Sequence, residues 1–208
     1  LISTGAAEVV VVTLAVATGL PLPLTPVQLL WLNLVTQGIQ DVSMAFEPGE
    51  GDELQRKPRD SREPIFNHLM IERSVIVALW IGILGFFVFK GMLDSGAPVE
   101  SARNVLLLLI VLFLNVHMFN CRSETKSAFK MPLMQNPVLL FGVLGAFLCH
   151  VLAMYLPMGQ LMLKTQPVDG KTWLLIAGLA STIILWMEWH KWWWNKRQVK
   201  KKINQENL

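Results

Sequence analysis

The sequence predicts an all-α membrane protein, a polytopic helical bundle with six transmembrane helices. The chain is 53% hydrophobic, and its mean hydropathy is +0.46. Its apolar residues come in blocks of about twenty, the length that a helix needs to cross a bilayer. In lipid a chain must satisfy its own backbone hydrogen bonds, and apolar blocks of this length do so as helices. We therefore expect residues 1–208 to form a single membrane domain.

The six apolar segments are separated by connections that contain proline, glycine or charged residues. The predicted spans are 2–20, 27–46, 74–93, 104–119, 137–156 and 172–192. The first connection, LPLPLTP, has three prolines and no charged residue. This composition predicts a tight turn that pairs the first two helices as an antiparallel hairpin.

The distribution of basic residues predicts which loops are cytoplasmic. The formal net charge is only +3, but 14 of the 18 Lys and Arg residues follow the second, fourth or sixth span. The positive-inside rule then places loops 47–72 and 120–132 and the C-terminus in the cytoplasm. We expect an integral protein of the plasma membrane, with the lipid bilayer as a partner. Because the basic clusters lie at helix ends, nucleic acid is not an expected partner.

The second predicted span carries a polar face. In the stretch WLNLVTQGIQDVSMAFE, the positions of Asn33, Thr36, Gln37, Gln40 and Asp41 form one continuous side of an α-helix. A central Asp costs roughly 2.5–3.5 kcal/mol on insertion scales, so this face must meet protein, water or an ion. Hydrogen bonding between helices is the simplest alternative explanation.

Glu8, in the first span, is expected to lie opposite this polar face. With a turn centred near Leu22, antiparallel pairing places Glu8 at the height of Thr36 and Gln37, about 20 Å from the turn. Oxygen ligands of these types suit a hard cation such as Ca²⁺, Na⁺ or K⁺, and a buried glutamate also suits a proton carrier. The predicted cation-binding residues are Glu8, Asn33, Thr36, Gln37 and Asp41, and the possible secondary residues are Gln40, Asn115 and His117.

Four stretches resemble the C-terminal membrane region of P-type cation-transporting ATPases, in the calcium-pump-like branch. They are LISTGAAEVV, LTPVQLLWLNLVTQG, DELQRKPR and NCRSETKSAFKMP. The resemblance covers nearly the whole chain and implies the fifth to tenth membrane helices of such a pump. It also implies a bundle that holds the cation near mid-membrane, while cytoplasmic domains use ATP and Mg²⁺ to phosphorylate an aspartate.

The resemblance assigns roles to individual residues. Glu8 matches the acidic cation ligand of the fifth helix, and Asn33 and Thr36 match the amide and hydroxyl ligands of the sixth. The chain departs from the family pattern at Gln37, where the sixth helix has Asp, and at Gly5, where the fifth helix has Asn.

The eighth helix departs from the pattern as well. Leu114 stands where calcium pumps have Glu, with Asn115 and His117 nearby, and Asp41 stands one turn further along the sixth helix. Fewer carboxylates weaken the case for two Ca²⁺ ions. One Ca²⁺, a monovalent cation or a proton all stay open as the transported ion.

The predicted function is the ion-translocating membrane domain of an ATP-driven pump. The chain has no DKTG-like phosphorylation motif and no Gly-rich phosphate loop. We therefore expect a piece of a longer protein, with no cofactor of its own, whose partners are the pump's other membrane helices and its phosphorylation and nucleotide domains. A secondary transporter is one alternative, although no inverted repeat is evident. A scaffolding domain without ion binding is another, which Gln37 and Gly5 favour.

Overall fold

The computed structural model describes residues 2–49, 66–123 and 126–206, with side chains described as far as residue 197. The helices are α1 (Ile2–Ala17), α2 (Pro26–Trp31), a π-helical segment (Leu32–Gln37), α3 (Gly38–Met44), α4 (His68–Asp94), α5 (Val99–Cys121), α6 (Pro137–Tyr155), α7 (Pro157–Leu163) and α8 (Gly170–Glu206). Two short 3₁₀ turns connect α5 to α6. Most of the predicted cytoplasmic loop 47–72 lies outside the described residues.

Four of these helices are long and apolar enough to cross a membrane: α4, α5, α6 and the Gly170–Arg197 part of α8. The apolar helix α1 is shorter, with 16 residues, which corresponds to about 24 Å. The second predicted span divides into α2, the π-helical segment and α3. The all-α membrane bundle is thus confirmed, while the count of six spans is approximate because two segments are short or interrupted.

The π-helical segment interrupts the second predicted span at its polar residues. Here the backbone hydrogen bonds reach back five residues, so that the Gly38 N–H donates to the Asn33 carbonyl. A π-helical turn holds more residues than an α-helical turn, and such turns are frequent at functional sites. The prediction of one regular α-helix over 27–46 is therefore wrong at this point, and the polar side chains leave the helix in more than one direction.

The main packing partner of α1 is α4, and glycine on α4 makes the close approach possible. A Cβ atom added at Gly82 would lie 2.6 Å from the Val10 Cβ and 3.1 Å from the Ala7 carbonyl oxygen. Small residues allow membrane helices to pack backbone against backbone in this way. The predicted antiparallel course of the first two helices is present, since Glu8 and Thr4 hydrogen-bond to the π-helical segment, but α1 packs most extensively on α4.

The central helix of the bundle is α5. Its consecutive residues 106–109 are all fully buried, which in a helix means that every side is covered. It packs against α4, α6 and α8. Near its end, Met118 forms a small cluster with Leu139 and Val143 of α6, and Met44 of α3 packs against this cluster.

Two features near α8 differ from the predicted segments. The unpredicted helix α7 begins at Pro157 and ends at Leu163, and the residue that follows it, Lys164, has a left-handed φ of 51°. Its Leu163 carbonyl accepts a hydrogen bond from Gln28 Nε2 at 2.9 Å, which ties α7 to α2. Helix α8 itself continues beyond the predicted end of the sixth span at residue 192.

Aromatic rings line the part of α8 that precedes the basic run beginning at Lys196. Trp186 stacks on Trp80 of α4 and on Trp189. Lys196 lies over the ring of Trp192, 3.9 Å from its centroid. Tryptophan belts with flanking cations are typical of helices where they reach the lipid headgroups.

Candidate cation site

Glu8 of α1 contacts Asn33 of the π-helical segment. Asn33 Nδ2 donates to Glu8 Oε2 at 3.2 Å and to the Leu29 carbonyl at 2.9 Å. Glu8 is only 7% exposed, and its Oε1 atom is buried without a hydrogen-bond partner among the described residues. A buried carboxylate oxygen without a donor is strongly disfavoured unless a proton or a cation accompanies it.

A second polar contact lies one turn away on the same two elements. Thr4 Oγ1 donates to Gln37 Oε1 at 2.9 Å, and both side chains are buried. The two contacts show that α1 and the π-helical segment run antiparallel. The sequence places Glu8 at the height of Thr36 and Gln37, whereas the structure sets it against Asn33. Both observed pairs centre the turn between Leu20 and Pro21 and not at Leu22, so the register differs from the predicted one by about one helical turn.

A third contact brings α5 to the polar residues. Gln40 is fully buried, and its Nε2 donates to Asn115 Oδ1 at 2.5 Å. Two further oxygens, Gln40 Oε1 and Thr36 Oγ1, are buried and have no hydrogen-bond partner within the described ranges. Gln40 and Asn115 are predicted as possible secondary site residues. Their hydrogen bond links α3 to α5.

Asp41 and His117 lie away from the contact between Glu8 and Asn33. Asp41 is partly buried and follows Asn33 by eight residues, about 12 Å along the helix axis. The His117 Nε2 atom lies 3.3 Å from Cys121 Sγ. His117 and Cys121, together with Ser3, line a cavity of about 370 Å³ beside α1.

The candidate site combines one carboxylate with amide and hydroxyl side chains. Within the described ranges it does not contain a group of carboxylates. In the part of the chain that the structure describes, no three His, Cys, Asp or Glu side chains form a metal-binding group. Among the described residues, the buried atoms without a hydrogen-bond partner include oxygens on Glu8, Thr36 and Gln40 and also two nitrogen donors nearby, Gln37 Nε2 and Trp31 Nε1. Oxygen donors are the ligands of hard cations, and a set with one carboxylate carries less negative charge than the acidic sites that hold Ca²⁺ most tightly.

Thr4 is a participant that the sequence reasoning missed. It lies four residues before Glu8 and therefore on the same side of α1. A search for polar residues at helical spacing from Glu8 would have found it.

Comparison with known proteins agrees with this architecture. Residues 21–193 match the family described as Cation transporting ATPase, C-terminus. The Probable cation-transporting ATPase F of Mycobacterium tuberculosis (strain ATCC 25618 / H37Rv) is 31% identical over 182 residues, which cover 88% of this chain and 20% of that protein. The Calcium-transporting ATPase of Bacillus subtilis (strain 168) is 31% identical over 182 residues, or 87% of this chain and 20% of that protein.

A mammalian relative shows the same partial coverage. The Calcium-transporting ATPase type 2C member 2 of Mus musculus is 30% identical over 193 residues, or 92% of this chain and 20% of that protein. The chain thus spans about a fifth of the length of the relatives that it matches. Other domains of the same pump are implied. The chain belongs to the cation-transporting P-type ATPases, as the C-terminal membrane region of a calcium-pump-like member.

Proposed function

We propose that this chain is the ion-translocating membrane part of an ATP-driven pump and supplies part of its mid-membrane cation site. Glu8, Asn33, Thr36 and Gln37 form the core of the proposed site. The observation that carries the proposal is the contact between Glu8 and Asn33 at 3.2 Å, in which one carboxylate oxygen accepts from the amide. The other oxygen is buried with no partner in the described ranges.

Hydrogen bonding between helices explains this arrangement less well than a cation does. Polar residues that only join helices satisfy one another, because a buried polar atom without a partner costs about 1–3 kcal/mol. Here three oxygens, Glu8 Oε1, Thr36 Oγ1 and Gln40 Oε1, lack partners within the described residues, against one nitrogen donor of the core, Gln37 Nε2. A cation bound by such oxygens would offset the cost of their burial.

Asp41 has a different place in the proposal. It lies on the α3 side of the core, towards the loop that the positive-inside rule assigns to the cytoplasm. We assign Asp41 to the cytoplasmic access side of the site, and Gln40 with Asn115 to the link that holds α3 against α5. The C-terminus is cytoplasmic and the pump lies in the plasma membrane in this account.

The transported ion follows from the donor set and from the relatives. The names of the Bacillus subtilis and mouse proteins specify calcium, whereas that of the Mycobacterium tuberculosis protein specifies only a cation. A core with one carboxylate fits one ion per cycle, either Ca²⁺, a monovalent cation or a proton. The remaining parts of the full-length pump would bind ATP and Mg²⁺ and supply the phosphorylated aspartate.

The test uses the full-length pump, purified and reconstituted into sealed vesicles. Uptake of Ca²⁺, Na⁺, K⁺ and H⁺ is measured with and without ATP, by radiotracer and by a pH-sensitive dye. We expect one of these ions to accumulate only with ATP and to stimulate ATP hydrolysis. Uptake driven by a gradient alone would favour a secondary transporter, and hydrolysis indifferent to all four ions would favour a scaffolding domain. Either result would contradict the proposal.

A further inference from the structure

A buried ion pair joins the end of α3 to the end of α5. Arg122 Nε donates to Glu47 Oε1 at 2.8 Å, and the two side chains are only 2% and 11% exposed. Glu47 lies three residues beyond the end of α3, and Arg122 directly follows α5. Burial of two charges is costly unless their remaining hydrogen-bonding positions are satisfied as well.

The Arg122 guanidinium also holds the segment that leads to α6. It donates to the Pro132 carbonyl at 3.0 Å and to Gln135 Oε1 at 3.4 Å. The planar guanidinium has donors in a fixed fork, so contacts in three directions fix its orientation. Arg122 therefore connects the end of α3, the end of α5 and the start of α6.

Asn136 completes the connection from the α6 side. Its Nδ2 donates to Glu47 Oε2 at 2.8 Å and to the Ser43 carbonyl at 3.3 Å. Its Oδ1 accepts from the Leu139 N–H at 2.9 Å, which caps α6. Both Glu47 carboxylate oxygens thus have partners, and each partner comes from a different place in the fold.

Close packing limits the position of α3 against α6 as well. A Cβ atom added at Gly142 of α6 would overlap Ser43 Oγ, so the two helices approach as closely as glycine permits. Helix α1, by contrast, packs on α4 and contacts the π-helical segment through Glu8 and Thr4. The proposed site therefore lies between α1, which packs on α4, and the π-helical segment with α3, which pack on α6.

We propose that Glu47, Arg122 and Asn136, which we call the α3 clamp, are positioning residues for the cation site. The clamp fixes the depth and rotation of α3, and through the continuous backbone it keeps Gln40 on Asn115 and the π-helical segment opposite α1. This inference rests on the proposed function, because it assigns the clamp a purpose in cation binding. A buried ion pair is not needed for stability alone, since apolar replacements of such pairs often stabilise a fold.

The first test compares matched charge removals in the full-length pump. Glu47→Gln is set against Glu100→Gln, because Glu100 pairs with Lys164 at 3.3 Å on an exposed surface, where both side chains are at least 60% exposed. We expect Glu47→Gln to raise the cation concentration for half-maximal ATPase activity by about ten-fold. The rate at saturating cation should change much less, and Glu100→Gln should leave both parameters unchanged. A fall in the saturating rate with unchanged half-saturation would overturn the proposal.

A milder variant keeps the test decisive if Glu47→Gln does not fold. Asn136→Ser keeps a side-chain oxygen that can cap α6 at Leu139 but shortens the arm that reaches Glu47 and Ser43. We expect a smaller shift of half-saturation in the same direction. A folded Asn136→Ser pump with wild-type half-saturation would contradict the clamp.

A readout that does not depend on transport separates this inference from the proposed function. Hydrogen–deuterium exchange of the peptide that covers 43–47 should rise in Glu47→Gln and stay unchanged in Glu100→Gln. If exchange rises but Glu8→Gln has no effect on cation stimulation, the clamp exists and the proposed cation site fails. If exchange stays at the wild-type level while Glu8→Gln abolishes cation stimulation, the site stands and the clamp is refuted.

Discussion

Asn33 Nδ2 and Glu8 Oε2 are 3.2 Å apart across the boundary between the π-helical segment and α1. The same Asn33 nitrogen also donates to the Leu29 carbonyl, so both amide hydrogens are engaged and the amide plane is fixed. The amide thereby orients one oxygen of the Glu8 carboxylate. The carboxylate is held in place before any ion arrives, which reduces the cost of organising the site.

Removal of the Asn33 amide should weaken cation binding without unfolding the pump. In Asn33→Ala the oriented carboxylate loses its donor, a loss worth about 1 kcal/mol, or about five-fold in affinity. Cation-stimulated ATPase activity of the full-length pump measures this shift. Gln166→Ala is the control, because Gln166 is an exposed amide that bonds Ser101 far from the site. Equal half-saturation in both variants would show that Asn33 has no part in binding.

The contact between Gln40 and Asn115 should appear as a coupling energy. We expect a double-mutant cycle of Gln40→Ala and Asn115→Ala to give about 0.6 kcal/mol and at most about 1.7 kcal/mol, as for other hydrogen bonds between membrane helices. Thermal unfolding of the purified full-length pump provides the four stabilities. Strictly additive effects would mean that the two amides do not interact in the folded protein.

The packing of α1 on α4 predicts different outcomes for two glycines of α4. In Gly82→Ala the new methyl group meets Val10 at 2.6 Å, and we expect overpacking to destabilise the pump by about 1–3 kcal/mol. Gly91→Ala has nothing within 4 Å of the new Cβ atom, so it should be neutral or stabilising by up to about 1 kcal/mol. Melting temperatures of the two variants decide the matter, and a tolerated Gly82→Ala would place α1 elsewhere.

The positive-inside distribution predicts that positions 59 and 201 face the same side of the membrane. Single cysteines at these positions, in a pump without Cys121 and Cys149, can be labelled with an impermeant maleimide. Both should react only from the cytoplasmic side, and a cysteine at Gly96 only from the opposite side. Reaction of positions 59 and 201 from opposite sides would overturn the topology.

Much of the fold could be predicted from the sequence, because twenty-residue apolar blocks have few structures available in lipid. The approach of Glu8 to the polar face also followed, since the proline-rich connection sends the chain back. The partner of α1 could not be predicted. That choice depends on Gly82 of α4, whose role appears only when Val10 is beside it.

The finer geometry of the polar residues was beyond sequence reasoning for a related reason. Periodicity assumes 3.6 residues per turn, and the π-helical segment breaks that period at Asn33. The polar residues therefore meet three partners at successive depths, Glu8, Thr4 and Asn115, instead of one. Arg122 and Asn136 carried no helical pattern with Glu47, so their meeting depends on tertiary structure alone.

Equilibrium cation binding to the full-length Glu8→Gln pump tests the central claim most directly. The substitution keeps the size of the side chain and its ability to accept from Asn33 but removes its charge. If Glu8 is a cation ligand, affinity for the transported ion should fall by about ten-fold or more, which corresponds to about 1.4 kcal/mol, while Glu100→Gln binds as the wild type does. Unchanged affinity in Glu8→Gln would contradict the claim and would leave the polar contacts of Glu8 as helix packing.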